Sequence, residues 1–186
     1  MDFILLRKYN EIEMEITIRK ENIKDYSDVY NLNKVAFEED EEARLVDLLR
    51  KSSAFIPELS IVAIIEDNIV GHILFTKIKI IDDKGNQNES LALAPMAVSP
   101  NYQKSGIGGQ LIKKGLDKAI EMNFKSVIVL GHEKYYPKFG FEPTTKWAIT
   151  SPYDVPTNVF MGLELVDNGL KDVSGIVQYP KEFAEL

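Results

Sequence analysis

The sequence predicts a single α/β (α+β) domain with a mixed, mostly antiparallel, twisted sheet. Two β-rich stretches, residues 61–65 and 69–80, are separated by a short turn and predict a strand hairpin. Further along, an apolar strand pattern, a glycine-bearing loop, an amphipathic helix pattern and a second apolar run predict a central β-loop-α-β unit. With 186 residues, 45% of them hydrophobic, the chain is long enough to bury one core.

Composition excludes several classes of function. The chain has no cysteine and only two histidines, His72 and His132, so we expect no disulfide, no thiolate chemistry and no metal site. A net charge of -7 argues against nucleic-acid binding and favours a cationic partner such as an amine. No apolar run reaches the length of a membrane span, and the opening residues are too few for a secretion signal. We therefore expect a cytoplasmic protein that does not bind a membrane.

The beginning of the chain is predicted to lie outside the fold. Residues 1–13 read as an N-terminal extension, and the single domain is predicted to span residues 14–186. The fold then opens with a strand, because Ile16 and Ile18 alternate with polar residues.

A first helix is predicted to run towards Val35, with Asn22 or Asp25 as its cap. Five consecutive acidic residues follow at 38–42. They are either an attraction site for an amine or metal, or the solvated start of the next helix, where the helix dipole favours acids. The second interpretation is preferred, since nothing nearby has metal-ligand spacing.

The predicted hairpin contains one of the two histidines. The turn falls at residues 66–68, and His72 lies beside Gly71 in the second strand. We interpret His72 as a hydrogen-bonded strand residue rather than a functional one.

Residues 91–109 are the most informative stretch. An apolar strand pattern passes through turn residues into a loop that carries Gly106, Gly108 and Gly109, and a helix pattern starts at once. Backbone N–H groups at such a junction can converge on one anion, most readily a phosphate, although the glycines can also simply form a tight turn. Leu111 stands where a dinucleotide fingerprint requires glycine, and no Gly-Lys-Ser/Thr follows.

The helix after this loop is predicted to end near Asn123 and to pack on the sheet. A buried strand at residues 126–131 should follow, parallel to residues 91–98. A short helix and turn and then further strands complete the chain. The predicted core face of the long helix consists of Ile107, Leu111, Ile112, Leu116, Ala119 and Ile120.

Three segments resemble motifs of the GNAT superfamily of N-acetyltransferases. Residues 103–108, QKSGIG, resemble its Gln/Arg-x-x-Gly-x-Gly/Ala signature, and residues 96–100, MAVSP, resemble the strand end before it. Residues 135–141, YYPKFGF, resemble the tyrosine segment that follows the next strand. The resemblance is sharp over residues 91–141, extends in element order over about residues 15–165, and points to a compact bacterial branch of predicted N-acetyltransferases.

The resemblance implies a GNAT-like fold in which the sheet is splayed between residues 91–98 and 126–131. Unpaired backbone groups of Met96 and Val98 would bind the pantetheine arm of acetyl-CoA, and the N–H groups of residues 104–109 would bind its pyrophosphate. The implied acetyl-CoA-binding residues are Met96, Ala97, Val98, Gln103, Lys104, Ser105, Gly106, Ile107, Gly108 and Gly109.

The implied reaction is direct attack of an amine on the thioester, with a tyrosine as general acid for the leaving thiolate. The family acid lies four residues before the glycine of the Gly-Phe pair, which selects Tyr136 over Tyr135. The alternative is that both tyrosines are packing residues.

The general base is where the sequence departs from the common pattern. Many relatives carry a glutamate on the strand before the loop, whereas residues 91–98 contain no ionisable side chain. His132 and Glu133, just after the parallel strand, are the candidate replacements, and His132 can titrate near neutral pH. A water chain, or a role for His132 in orienting the loop or contacting the cofactor, is the alternative.

The leading hypothesis is thus an acetyl-CoA-dependent N-acetyltransferase that needs no metal and acts on a small-molecule or peptide amine. The alternative is a non-catalytic acyl-CoA-binding or regulatory module with the same fold. Edge strands near the C-terminus permit a homodimer without requiring one. The hypothesis predicts that Gly108→Val raises the KM for acetyl-CoA.

Overall fold

The computed structural model describes residues 15–185, so the predicted N-terminal extension falls outside the described residues. Nine strands form one sheet in the order β1-β2-β3-β4-β5-β8-β6, with β9 pairing β3 and β7. The strands are β1 (Thr17–Lys20), β2 (Phe55–Ile65), β3 (Asn68–Ile81), β4 (Gln87–Val98), β5 (Ser126–Leu130), β6 (Glu142–Pro143), β7 (Ile149–Thr150), β8 (Phe160–Glu164) and β9 (Gly175–Gln178). The helices are α1 (Tyr26–Phe37), α2 (Glu41–Leu49) and α3 (Ile107–Glu121).

The predicted hairpin is formed by β2 and β3. Both turn residues, Glu66 and Asp67, have positive φ angles of 48° and 63°, which is the conformation that matches the twist of two-residue hairpin turns. All pairs in the sheet are antiparallel except β4 with β5 and β7 with β9. The predicted mixed, mostly antiparallel sheet is therefore confirmed.

Alternation along the hairpin separates two layers of helices. Ile61 and Ile73 face the cluster that contains α3, whereas Val62 and Leu74 face the cluster that contains α1 and α2. The sheet is thus covered on both faces. Within the described residues, no helix combines the length and apolar character that crossing a membrane requires.

The predicted buried face of α3 is correct except at its end. Ile120 is 44% exposed, because the buried face is centred on Gly115, one turn after Leu111. The ring of Phe75 occupies the space over Gly115 that a side chain would need. Sequence pattern missed this contact since glycine contributes nothing to an apolar stripe. The predicted stop at Asn123 is confirmed by its left-handed φ of 65°.

The acidic stretch lies at the junction between α1 and α2. Glu38 ends α1 in the left-handed conformation, with φ of 62°, and Glu41 and Glu42 form the first turn of α2. This placement agrees with the preferred interpretation, a solvated helix start. No group of three potential metal ligands occurs within residues 15–185.

The central unit has the predicted splay. The β4 strand pairs with β3 from Gln87 to Val98, but it pairs with β5 only at Leu91 with Val127 and Ala92 with Ile128. Beyond those two pairs β4 and β5 separate. We refer to the space between β4 after Ala92 and β5 after Ile128 as the opening.

Candidate functional site

The β4 side of the opening has backbone groups that no strand uses. Ser99 donates its N–H to Val70, and Ala97 is paired with His72 in the same register, so these residues point their backbone groups towards β3. In an antiparallel ladder the intervening residues point the other way. The N–H and C=O groups of Met96 and Val98 therefore face the opening.

A bulge precedes this edge. Between the pairs Ile73 with Met96 and Phe75 with Leu93, β4 contains one residue more than β3. The extra residue falls at Ala94 or Pro95, and proline has no N–H to leave unpaired. The pairing of β4 with β3 is thus irregular where the opening begins.

The glycine loop contains two residues in the left-handed backbone conformation. Lys104 and Gly106 both have left-handed φ angles, 63° and 88°. The Gln103 amide donates to the Val98 carbonyl at 3.3 Å, and the Ser105 hydroxyl donates to the Tyr102 carbonyl. These two side chains stabilise the loop conformation.

The N–H groups of residues 104–109 are free to bind a ligand. None of them donates to an acceptor within residues 15–185, and Gly106 caps α3, so they lie at the positive end of its dipole. A Cβ atom added at Gly106 would meet nothing within 4 Å. The loop therefore has unused backbone donors of the kind that an anion site requires.

Gly108 has a second role that the sequence did not reveal. A Cβ atom at Gly108 would lie 2.7 Å from Tyr135 Oη, whereas one at Gly109 would lie at an ordinary contact distance, 3.4 Å, from the Phe139 ring. Gly108 therefore lets the segment after β5 pack directly on the start of α3. No local signal could have shown this, because the contacting residues are far apart in sequence.

Tyr136 is the first residue of a 3-10 helix, Tyr136–Phe139, which follows β5. Its ring packs against the backbone of Gly131 and edge-on against Phe141, at 5.6 Å between centroids. Burial, together with the neighbouring Tyr135, raises the pKa of Tyr136 to about 12. Tyr136 is therefore a protonated hydroxyl at neutral pH.

His132 lies just beyond β5, and its side chain is exposed. Its carbonyl accepts the N–H groups of Tyr135 and Tyr136, and its Nδ1 accepts the N–H of Lys134 at 3.2 Å. A neutral ring that accepts at Nδ1 carries its proton on Nε2. The neighbouring Glu133 carboxylate accepts a hydrogen bond from Asn158 instead of facing His132.

His72 lies on the opposite face of the sheet. Its Nε2 is 3.0 Å from Ser60 Oγ, its Nδ1 is 3.4 Å from Asn33 Nδ2, and Ser60 donates to Glu21 at 2.7 Å. Glu21 in turn pairs with Arg50. We call these five side chains the buried polar network.

The network fixes the state of His72. Since Asn33 Nδ2 can only donate, His72 Nδ1 accepts and Nε2–H donates to Ser60. Burial, with a smaller contribution from Arg50, lowers the pKa of His72 to about 3. His72 is a neutral, hydrogen-bonded residue, as interpreted from the sequence.

The structure brings part of the predicted site together on the α3 face of the sheet. Met96, Val98, Ile107 and both tyrosines belong to one packed cluster there, whereas the acidic stretch joins α1 to α2 and His72 contacts Asn33 of α1. Sequence reasoning missed Gly131, whose missing side chain makes room for the Tyr136 ring. Its position directly after a strand was the available signal.

Comparison with known proteins gives a consistent result. Residues 26–141 match the model of the acetyltransferase (GNAT) family. The Escherichia coli K12 protein YjhQ, named an uncharacterized N-acetyltransferase, is 41% identical over 135 residues, which cover 71% of this chain and 73% of YjhQ. The N-acetyltransferase YhbS of the same strain is 30% identical over 148 residues, 80% of this chain and 86% of YhbS.

Two solved structures resemble the fold closely. The crystal structure of YhbS from Escherichia coli in complex with CoA has a TM-score of 0.84 at 29% identity and covers 92% of this chain and 93% of that one. A GNAT family acetyltransferase from Brucella melitensis in complex with acetyl-CoA has a TM-score of 0.75 at 28% identity, with 91% and 99% coverage.

Proposed function

The chain belongs to the GNAT family of acetyltransferases and is an acetyl-CoA-dependent N-acetyltransferase, and we propose that it transfers the acetyl group to an amine by direct attack, with Tyr136 as general acid. The observation that supports this proposal is that Tyr136 lies in the segment after β5, the strand that separates from β4, and keeps its proton at neutral pH. The N–H groups of residues 104–109 have no acceptor in the described residues, and of the outward backbone groups on β4 the Val98 carbonyl accepts from Gln103.

The cofactor would lie along β4 and across the start of α3. The outward backbone groups of Met96 and Val98 suit the amides of a pantetheine arm, and the N–H groups of residues 104–109 suit a pyrophosphate. Lys104 is exposed on the same loop and supplies a positive charge. A backbone N–H near Val98 would stabilise the oxyanion.

The protonation state of Tyr136 supports its role. An acid must hold its proton until the leaving group needs it, and the high pKa keeps Tyr136 protonated across the physiological range. Its Oη makes no hydrogen bond within residues 15–185, so its proton is not committed elsewhere.

His132 is proposed as the second polar group of the reaction. To act as a base, its Nδ1 must leave the Lys134 N–H, because Nε2 carries the proton while that bond exists. With the bond intact, Nε2–H is instead a donor to the cofactor or the acceptor. A His132→Gln variant separates the two roles: loss of a base removes the acid limb of the kcat/KM profile, whereas loss of a donor lowers kcat/KM equally at all pH values.

The test of the proposal is thiol release from acetyl-CoA in the presence of a panel of small amines and peptides. Tyr136→Phe should lower kcat about 100-fold while the KM for acetyl-CoA changes little, since it removes a group needed only in the transition state. Tyr179→Phe is the matched control, because Tyr179 is also a well-packed tyrosine with a raised pKa but lies in the C-terminal aromatic cluster.

Retention of kcat in Tyr136→Phe would contradict the assignment of the acid. Tight CoA binding without amine-dependent thiol release from any member of the panel would contradict the catalytic proposal itself. It would favour the non-catalytic acyl-CoA-binding module.

A further inference from the structure

Gly108 needs an explanation that its backbone does not provide. It lies in the first turn of α3 and is not among the glycines with positive φ, so any residue could adopt its conformation. What excludes a side chain there is a neighbour: the added Cβ would lie 2.7 Å from Tyr135 Oη and 3.7 Å from the Met96 methyl carbon. The glycine therefore makes room for a hydroxyl group.

Tyr135 is held firmly in this position. Its N–H donates to the His132 carbonyl at 2.9 Å, and its ring packs edge-on against Tyr136 and Phe139, with centroids 5.4 and 5.3 Å away. Phe139 is itself seated over Gly109. The hydroxyl is placed by packing from its own segment and from α3, and not by a hydrogen bond.

The hydroxyl has a proton to donate and no acceptor to receive it. Burial raises the pKa of Tyr135, and Oη makes no hydrogen bond within residues 15–185. The N–H groups at the start of α3 also lack acceptors. A side-chain donor and a set of backbone donors thus both lie at the start of α3 without an acceptor in the described residues.

This place is where β4 and α3 meet. Met96 contributes its side chain to the contact around Gly108, while its backbone groups face the opening. A ligand that runs along the β4 edge and ends on the anion site must pass Tyr135 Oη. This reasoning rests on the proposed placement of the cofactor.

We propose that Tyr135 is an acyl-CoA contact residue, whose hydroxyl donates a hydrogen bond to the cofactor where the pantetheine arm joins the pyrophosphate, and that Gly108 is glycine to admit this hydroxyl. The two adjacent tyrosines then have different roles. Tyr135 holds the cofactor and Tyr136 serves the departing thiolate.

The first experiment measures CoA binding by calorimetry without an acceptor. Tyr135→Phe should weaken the Kd for CoA about tenfold, because it removes a hydrogen bond to a charged or strongly polar group. Tyr153→Phe, on an exposed loop, should leave the Kd unchanged. With S-acetylpantetheine, which lacks the pyrophosphate, kcat/KM of Tyr135→Phe should match the wild type within about twofold.

The second experiment is a double-mutant cycle with Gly108→Ala. The single variant should weaken CoA binding by displacing the hydroxyl. In the Tyr135→Phe background the nearest ring carbon is 3.8 Å from the added Cβ, so Gly108→Ala should cost nothing further.

Several results would overturn the inference. Wild-type CoA affinity in Tyr135→Phe would make Tyr135 a packing residue, and an equal cost of Gly108→Ala in both backgrounds would mean that the cofactor itself requires the glycine. Either result leaves the proposed function standing if Tyr136→Phe still loses kcat. Absence of CoA binding by the wild-type protein would instead contradict both proposals.

Discussion

Polar side chains lie on both faces of the sheet, and the two groups differ in how their hydrogen-bonding capacity is used. In the buried polar network, Ser60 bonds both His72 and Glu21, and Glu21 pairs with Arg50. At the opening, Tyr135, Tyr136 and the start of α3 present donors with no acceptor in the described part of the chain.

The difference indicates that the buried polar network stabilises the fold, whereas the donors at the opening are available for a ligand. A charged pair that is buried and hydrogen-bonded holds elements together, here β1, α2 and the hairpin, and both of its charges are already used. One acceptor of the network, Asn33 Oδ1, is buried without a hydrogen-bond partner in the described residues. Donors beside an opening that solvent can reach stay available to a ligand. His72 is more buried than Tyr135, so burial alone would favour His72 as a functional residue. Because His72 already has hydrogen-bond partners and Tyr135 has none in the described residues, Tyr135 is the better candidate for binding a ligand.

The largest effect should come from breaking the network. Arg50→Met leaves the Glu21 carboxylate buried and without its charge partner, so the free energy of unfolding should fall by about 3–5 kcal/mol in urea titrations. Lys118→Met, in an exposed pair with Glu121, is the control and should leave the free energy of unfolding close to that of the wild type. CoA affinity of the folded Arg50→Met protein should be unchanged. A loss of affinity there would show that the two regions are coupled.

A smaller effect distinguishes a glycine of the site from a glycine of a turn. Gly106 and Gly85 have nearly equal φ angles, 88° and 84°, and a Cβ on either would meet nothing within 4 Å. Alanine at either position should therefore lower the free energy of unfolding by a similar amount, about 1–2 kcal/mol. Only Gly106→Ala should weaken CoA binding, measured by calorimetry. Equal CoA affinity in both variants would remove the anion site from the proposal.

His72 also makes the stability of the protein sensitive to acid. The unfolded chain binds a proton at His72 with a pKa near the usual 6.5, whereas the folded protein resists protonation until about pH 3. Stability from this residue is complete above pH 6.5 and is lost as the pH falls towards 3, by up to about 1.4 kcal/mol per pH unit. Urea titrations of wild type and His72→Gln between pH 7 and pH 4 should show a flatter dependence in the variant. Parallel dependences would mean that His72 is protonated in the folded state.

Much of the fold could be predicted because its signals are local. The hairpin turn, the stop at Asn123 and the strand-loop-helix unit each depend on residues that are neighbours in sequence. The α3 face was wrong at Ile120 because Gly115, which centres the buried side, has no side chain to contribute to the pattern. A glycine that makes room for a neighbouring ring cannot be recognised from the pattern of apolar residues along a helix.

The candidate site could be predicted only in part for a related reason. The loop and the β4 edge follow from a contiguous motif, and the structure places them as expected. The contact of Tyr135 with Gly108 joins residues far apart along the chain, so spacing could select Tyr136 as the acid but could not assign its neighbour. The tautomer of His132 likewise depends on a backbone N–H that the sequence does not position.

The two residue pairs between β4 and β5 have a consequence for how the molecule responds to its cofactor. They are nearly all the backbone pairing that joins the β1-to-β4 part of the sheet to the β5, β8 and β6 part. A pantetheine arm that is hydrogen-bonded along β4 would act as an additional strand between β4 and β5. We therefore expect amide hydrogens of β5 and β8 to exchange with solvent more slowly when CoA is present. The local stability of this part of the sheet would then depend on the concentration of acyl-CoA.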